Sequence, residues 1–427
     1  SIKHINELRP ETLRPGIVRT VHINYNVTET NGSYYALVVY SQKEQLSFMI
    51  LDAYAKMHDS TQKSSSSLPQ VNLLANLDEG GAIAKGMVEL IRGDVRHIYY
   101  ATFRIQGQST KKFPKKAWLI TFYTDNTYKE KLPVRVFPDY PDVDSLNMKS
   151  NYIDWTQANN ILVSRCIADL TKLSDGIEDK QMYAPNQCEI TGEPCLGYNN
   201  GQKLGLFTLS PKKSNIMFNM EKGNTKMAVF EGNNVTKENC FKADSTAFGD
   251  DEPFTIEATD DDVDQSLKDS FNALLKLVNS STDDEFKSQI SSKLNLQSVA
   301  NWIVSIIAFG LYDNTAKNIC WATWDGIKWS AVQYDHDMAF GLWWDGSRLN
   351  HEESDIDLPY LIKFSRLFER LIKLHLIDDQ LISAWDNLKT AHPMIELQKE
   401  FRDWYYRIGD VNYEEDRRIW PDMPGQH

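Results

Sequence analysis

The stretch from Tyr312 to Gly341 decides the reading of this chain: Tyr312-Asp-Asn-Thr-Ala-Lys-Asn318, a β-rich run, then Tyr334-Asp-His-Asp-Met-Ala-Phe-Gly341. Asp313 and Asn318 stand five residues apart. A phosphoryl-transfer loop uses that spacing to place an aspartate that orients the acceptor hydroxyl and an asparagine that holds metal. Between the two motifs, Cys320 to Trp324 and Ile327 to Val332 read as strands around Asp325-Gly326, a dipeptide suited to a two-residue hairpin turn. The hairpin returns Asp335 and Asp337 to the side of Asp313. Carboxylates and an amide oxygen gathered there are hard ligands of the kind Mg²⁺ takes beside nucleotide phosphates. Either motif alone also suits an ordinary surface turn; it is their pairing across a hairpin that points to chemistry.

Composition bounds the rest. With 427 residues, 41% of them hydrophobic, the chain can bury a large core in two or three structural units. A net charge of −13 argues against nucleic acid or an anionic membrane surface as the main partner, because both are bound by clustered Lys and Arg. No apolar run reaches the ~18 residues of a membrane span, and no signal-peptide core is evident. The expected location is the cytoplasm or a virion or coat assembly, without membrane insertion. Cys166, Cys188, Cys195, Cys240 and Cys320 form no CxxC pair, and an odd count suits reduced thiols better than a disulfide framework.

Along the chain, residues 1–66 read as a β-rich leader. Val21 to Val27 alternate, Asn31-Gly32 offers a turn, and Tyr34 to Tyr40 forms the return strand. The leader is a small module or an added sheet, and a route to homo-oligomers. Residues 67–260 read as a β-rich lobe with one packed helix, in which Asp154 and Gln157 have capping-box spacing ahead of Leu162, Cys166 and Leu170. Short β segments are expected near Pro133 to Phe137, Gln202 to Leu209 and Met227 to Glu231. Residues 261–427 read as a helical lobe, clearest at Leu267 to Val278, Asp283 to Leu294 and Gln297 to Leu311. Farther on, Leu361 to Ile372 and Trp385 to Ile408 continue the helical pattern. The acidic segment Asp250 to Asp264 reads as a solvated linker, with calcium binding the alternative.

These residues resemble the CotH family of spore-coat-type atypical kinases. Arg104-Ile-Gln-Gly-Gln-Ser-Thr110 with Phe113-Pro-Lys-Lys116 is similar to that family's Arg-Gly-Asn-Ser loop and its continuation. Lys149-Ser-Asn-Tyr-Ile-Asp154 with Asn160, the segment Gly201 to Leu209, and the two motifs quoted above supply the other landmarks. The resemblance spans about residues 70–410. It implies an α+β, two-lobed protein-kinase-like fold, a β-rich N-terminal lobe and a helical C-terminal lobe, with the leader added. It also implies ATP and Mg²⁺ as cofactors and transfer to Ser/Thr of a protein acceptor or to the chain itself.

Position by position, Asp313 becomes the candidate catalytic aspartate. Asn318 and Asp335 are candidate metal ligands, with Asp337 behind them. Lys115 or Lys116, beside the backbone of Gly107 and Ser109, becomes the candidate phosphate contact. Three departures stand out. Gln106 replaces an Arg, Ser210-Pro211 lacks a Glu that would brace a lysine, and His336 replaces an aromatic. The competing expectation is a structural or adhesion module, as in phage tail or surface proteins that use the fold for binding. Eleven Trp and nineteen Tyr favour it, with Trp343-Trp344-Asp345 the best candidate for an exposed aromatic patch.

Overall fold

The computed structural model describes residues 35–40, 45–51 and 68–424, less 79, 108, 258–262 and 349–355. Strand β1 (Tyr35–Tyr40) pairs antiparallel with β2 (Gln45–Leu51). The return strand expected at 34–40 therefore pairs with the segment that follows it; Val21 to Val27 and the boundary at 66 lie outside the described residues.

Seven strands close a barrel: β3 (Gln70–Leu74), β4 (Ala84–Arg92), β5 (Val95–Gln106), β6 (Ala117–Tyr123), β7 (Ser145–Lys149), β8 (Glu193–Asn199) and β9 (Gln202–Pro211), in the order 3-4-5-6-7-9-8. The pairs are antiparallel except β3 with β8, which closes the ring in parallel. Every second residue builds the interior: Phe103 and Ile105, Ile120 and Phe122, Leu146 and Met148, Phe207 and Leu209 are buried together, the alternation a closed sheet imposes. The β-rich half is thus a closed barrel, a finer architecture than strand patterning predicts. The segment near Pro133 to Phe137 contributes only an isolated bridge, Val134 to Val143.

Helix α1 (Asn159–Leu173) leaves the barrel and joins the two halves. Its Ile161 and Leu162 pack with Val229, Cys320 and Ala322, while Val163, Cys166, Ile167 and Leu170 enter the helical core. The capping box predicted before it is absent. Asp154 accepts from the backbone N–H of Asn159 at 2.9 Å, whereas Gln157 turns away at φ 61° to bond Asn151. The helix consequently starts at Asn159.

A second antiparallel sheet, in the order β11-β10-β12-β13, joins β10 (Ala228–Gly232), β11 (Phe254–Glu257), β12 (Ile319–Thr323) and β13 (Ser330–Gln333). Against it pack α2 (Gln265–Ser280), α3 (Asp283–Lys293) and α4 (Leu296–Phe309). Phe271 meets the rings of Phe230, Phe254, Trp321 and Trp329 at 5.0–6.1 Å. Two helical stretches predicted as single units are broken. Ser365, extended at φ −120° and ψ 130°, separates α5 (Leu358–Phe364) from α6 (Arg366–Lys373). His392-Pro393 separates α7 (Asp378–Ala391) from α8 (Met394–Ile408), because proline disfavours helix at the residue before it. Helix α9 (Asp410–Ile419) follows and returns to the barrel through Asp416.

The five cysteines are all buried free thiols. Among the described residues no helix is long and apolar enough to cross a membrane.

Candidate functional site

The loop that carries Asp313 is set by the end of α4. Gly310 caps the helix at φ 63°, and a single 3₁₀ turn, Asp313–Thr315, follows. Trp302, buried in α4, donates its indole N–H to the Asn314 carbonyl at 2.7 Å, and Asn314 donates to the Tyr334 carbonyl at 2.9 Å. Gly232 supports the loop from β10. Its carbonyl accepts the Asn318 N–H at 3.1 Å, and a Cβ there would run into the Ala316 carbonyl. Only glycine lets the two backbones approach so closely.

The predicted hairpin is present, but its turn is longer than two residues. β12 ends at Thr323 and β13 begins at Ser330, so Trp324 to Trp329 make the connection. The Asp325 carboxylate folds that loop by accepting the N–H groups of Ile327 and Lys328. The return still performs the expected service: Ile319 pairs with Gln333, and the Tyr334 N–H donates to the Asn318 carbonyl at 2.9 Å. Asp335 therefore emerges directly beside Asn318. Both residues hold left-handed backbone, φ 55° at Asn318 and φ 60° at Asp335. Non-glycine residues in that region are stored strain of the kind concentrated at functional sites.

Two ion pairs occupy the cluster. Asn318 Nδ2 donates to Asp313 Oδ2 at 2.8 Å, and Lys317 Nζ reaches the same oxygen at 3.0 Å. Lys149, the last residue of β7, donates to Asp335 Oδ2 at 3.1 Å. From α1, Asn160 donates to Asp335 Oδ1 at 2.8 Å and accepts the His336 N–H at 3.1 Å. Asn159 donates to the carbonyls of Asp337 and Ala339. Burial pushes the Asp335 carboxyl up, but the Lys149 ammonium and its hydrogen bond outweigh it and hold Asp335 below its usual range. Asp337 has no hydrogen bond or ion pair from its carboxylate among the described residues. Burial first, then the Asp335 charge, push it up to about 8. His336 is fully buried, its Nδ1 2.9 Å from Ser164 Oγ, and burial pushes it down to about 4. It is a neutral packing residue.

The structure thus brings together Asp313, Asn318 and Asp335, with Asp337 two residues on. The loop lysines lie elsewhere. Lys115 is fully buried and donates to both carboxylate oxygens of Asp416 at 2.9 Å, with the Phe207 ring 5.0 Å from its ammonium. Asp416 also accepts the Leu206 N–H at 2.8 Å, and a Cβ on Gly205 would occupy the place of its carboxylate. The brace that Ser210 does not provide comes from α9. Lys116 donates to the carbonyls of Lys111 and Phe113. Gly107 follows β5 at φ 97°, and Ser109 opens a 3₁₀ turn to Lys112. Sequence spacing gave no role to Lys317 or Asp416, and it placed Lys149 and Asn160 only as landmarks. Each of the long-range pairs spans well over a hundred residues.

As to metal, no group of three His, Cys, Asp or Glu side chains is placed to hold an ion among the described residues. Two neighbouring carboxyl groups and an amide, one carboxyl pushed up by burial and then by the charge of the other, are nevertheless hard donors that a divalent cation would relieve of repulsion. The residues fit Mg²⁺ shared with phosphate oxygens better than a closed protein cage.

A cavity of ≈ 160 Å³ lies beside the cluster, lined by Asp154, Trp155, Asn159, Phe340 and Phe401 among others. Its lining lacks Asp313, Asp335 and Asp337, and it is smaller than the ~300 Å³ at which ligand pockets begin. Trp344 is 54% exposed, while Trp343 is half-buried against Tyr312.

A comparison with curated proteins gave no match. The family model described as CotH kinase protein matches residues 103–423, which include every residue of the acidic cluster and its partners Lys149 and Asn160. With well over half of its 427 residues matched, the chain belongs to the CotH kinase protein family.

Proposed function

We propose that this protein is a Mg²⁺- and ATP-dependent phosphotransferase acting on Ser or Thr of a protein acceptor, or on itself. The barrel and the helical half serve as the two lobes of a kinase-like arrangement. The observation that carries the reading is the return of Asp335 beside Asn318 by the β12–β13 hairpin, with Asp313 bonded to Asn318 at 2.8 Å. Asp313 is the group that orients the acceptor hydroxyl and takes its proton as the oxygen attacks the γ-phosphorus and the bond from that phosphorus to the β,γ-bridging oxygen breaks, releasing ADP. Asn318 and Asp335, backed by Asp337, are the groups that would hold Mg²⁺, which when bound neutralises charge across the phosphates. Asn160 fixes the Asp335 rotamer, and the hydrogen bonds of Asn314 and Trp302 hold the loop ready, so little reorganisation accompanies binding.

Calorimetric titration with ATP, with and without Mg²⁺, tests the reading. The chain should bind only with metal, and Asp335→Ala should lose that metal-dependent binding. Metal-independent or absent binding would overturn it. A second reading, recognition without turnover, is favoured by the burial of Lys115 and the exposure of Trp344. It predicts a protein or coat partner and no nucleotide.

A further inference from the structure

Phosphoryl transfer needs a fixed cation against the migrating charge, and the loop lysines are committed elsewhere: Lys115 to Asp416, Lys116 to backbone carbonyls. Lys149 is differently placed. Its ammonium lies 3.1 Å from Asp335, and both side chains are partly exposed, 17% and 25%. The Tyr334 ring is shared by two lysines, its centroid 5.8 Å from the Lys149 ammonium and 4.3 Å from that of Lys213. Lys213 is neutralised by Glu231 and Glu257 from the second sheet. Lys149 has no such dedicated partner among the described residues: its one carboxylate is Asp335, which the proposed function assigns to metal. A cation on Asp335 would repel the ammonium and free it for the phosphates that arrive with the metal.

On the basis of the proposed function, we infer that Lys149, at the end of β7, is the lysine that contacts the nucleotide's phosphates, in place of Lys115 or Lys116. Between nucleotide visits its pairing with Asp335 keeps both side chains in position. The ligand chemistry it selects is a polyphosphate, whereas an uncharged nucleoside gains nothing from it.

The test is calorimetric binding of Mg·ATP and of adenosine to the full chain, to Lys149→Met, to Lys149→Arg and to Lys116→Met. Lys149→Met should weaken Mg·ATP at least tenfold and leave adenosine unchanged. Lys149→Arg should restore most of the loss, and Lys116→Met should bind as the parent does. Equal losses for ATP and adenosine would reduce Lys149 to a structural role and overturn the inference. So would full ATP affinity in Lys149→Met, or the loss appearing in Lys116→Met instead. If the parent chain binds no Mg·ATP, the proposed function fails and this assignment with it. Parent binding with an unaffected Lys149→Met defeats this assignment alone.

Discussion

Asp337 and His336 titrate in opposite senses, and both can be read in stability. The Asp337 carboxyl is raised to about 8 by burial and by Asp335. Between about pH 4 and about pH 8 the folded chain keeps a proton that the unfolded chain has released, so this group's contribution to stability is lost as pH rises. Asp337→Asn should flatten that slope and melt higher than the parent at pH 8.5 without divalent ions, by about 1 kcal/mol or more. Added Mg²⁺ should stabilise the parent more than the variant. Thermal melts at pH 5, 7 and 8.5 check this, and parallel curves would refute it. His336, depressed to about 4, works on the acid side. The unfolded imidazole gains its proton near pH 6.5 while the folded one does not, so stability falls as pH drops from about 6.5 toward 4, by up to about 3 kcal/mol. His336→Phe, which restores the aromatic expected there, should remove that acid limb from a denaturant series run at pH 4 to 7.

Asp313, Asn318, Asp335 and Asp337 were legible because each motif is local and a hairpin lies between them. Lys149 and Asn160 stood in a recognisable segment, yet their roles depend on contacts 186 and 175 residues away. Asp416 had no signal at all, since nothing in a charged terminal helix says that one carboxylate is buried.

Among the described elements, α9 is anchored to the barrel by a buried ion pair that substitution can break. Its Asp416 is 1% exposed and holds Lys115 and the Leu206 N–H. Lys115→Met leaves that carboxylate unpaired and should cost about 3–5 kcal/mol. Pairing it with Asp416→Leu should recover part of the loss, though not all, because the Leu206 N–H is then orphaned at about 1–3 kcal/mol. A double-mutant cycle by urea unfolding measures the coupling, and additive losses would mean the pair does not hold α9 in place. The elements themselves followed from periodicity where one face is buried, as in α2 and α4. Sequence spacing failed at ends and breaks. Asp154 meets the Asn159 N–H but Gln157 does not complete the box, the hairpin loop is longer than Asp325-Gly326 suggested, and Ser365 and His392-Pro393 interrupt continuous apolar stripes.

At the scale of the molecule, five of the eleven Trp that suggested a binding surface are interior, whereas most of the described Tyr are not. Trp302, Trp321 and Trp329 are all buried, with Phe230, Phe241, Phe254 and Phe271 around them. Phe271→Ala, at the centre of that cluster, should cost about 3–5 kcal/mol, read as a lowered denaturant midpoint. A loss under 1 kcal/mol would mean the cluster collapses around the vacancy. Closure into a barrel was not readable in the sequence, because the parallel pairing of β3 with β8 joins segments far apart in the chain. The helical half and the barrel meet along α1, and the acidic cluster sits where α1, β7 and the β12–β13 hairpin converge.

Phosphate transfer by this cluster is read from γ-labelled ATP with Mg²⁺, for the parent chain and for Asp313→Ala. Label should appear on Ser or Thr of the chain or of an added protein acceptor, reduced at least about 100-fold in the variant. No transfer by the parent at saturating Mg·ATP, or equal transfer by Asp313→Ala, would contradict it.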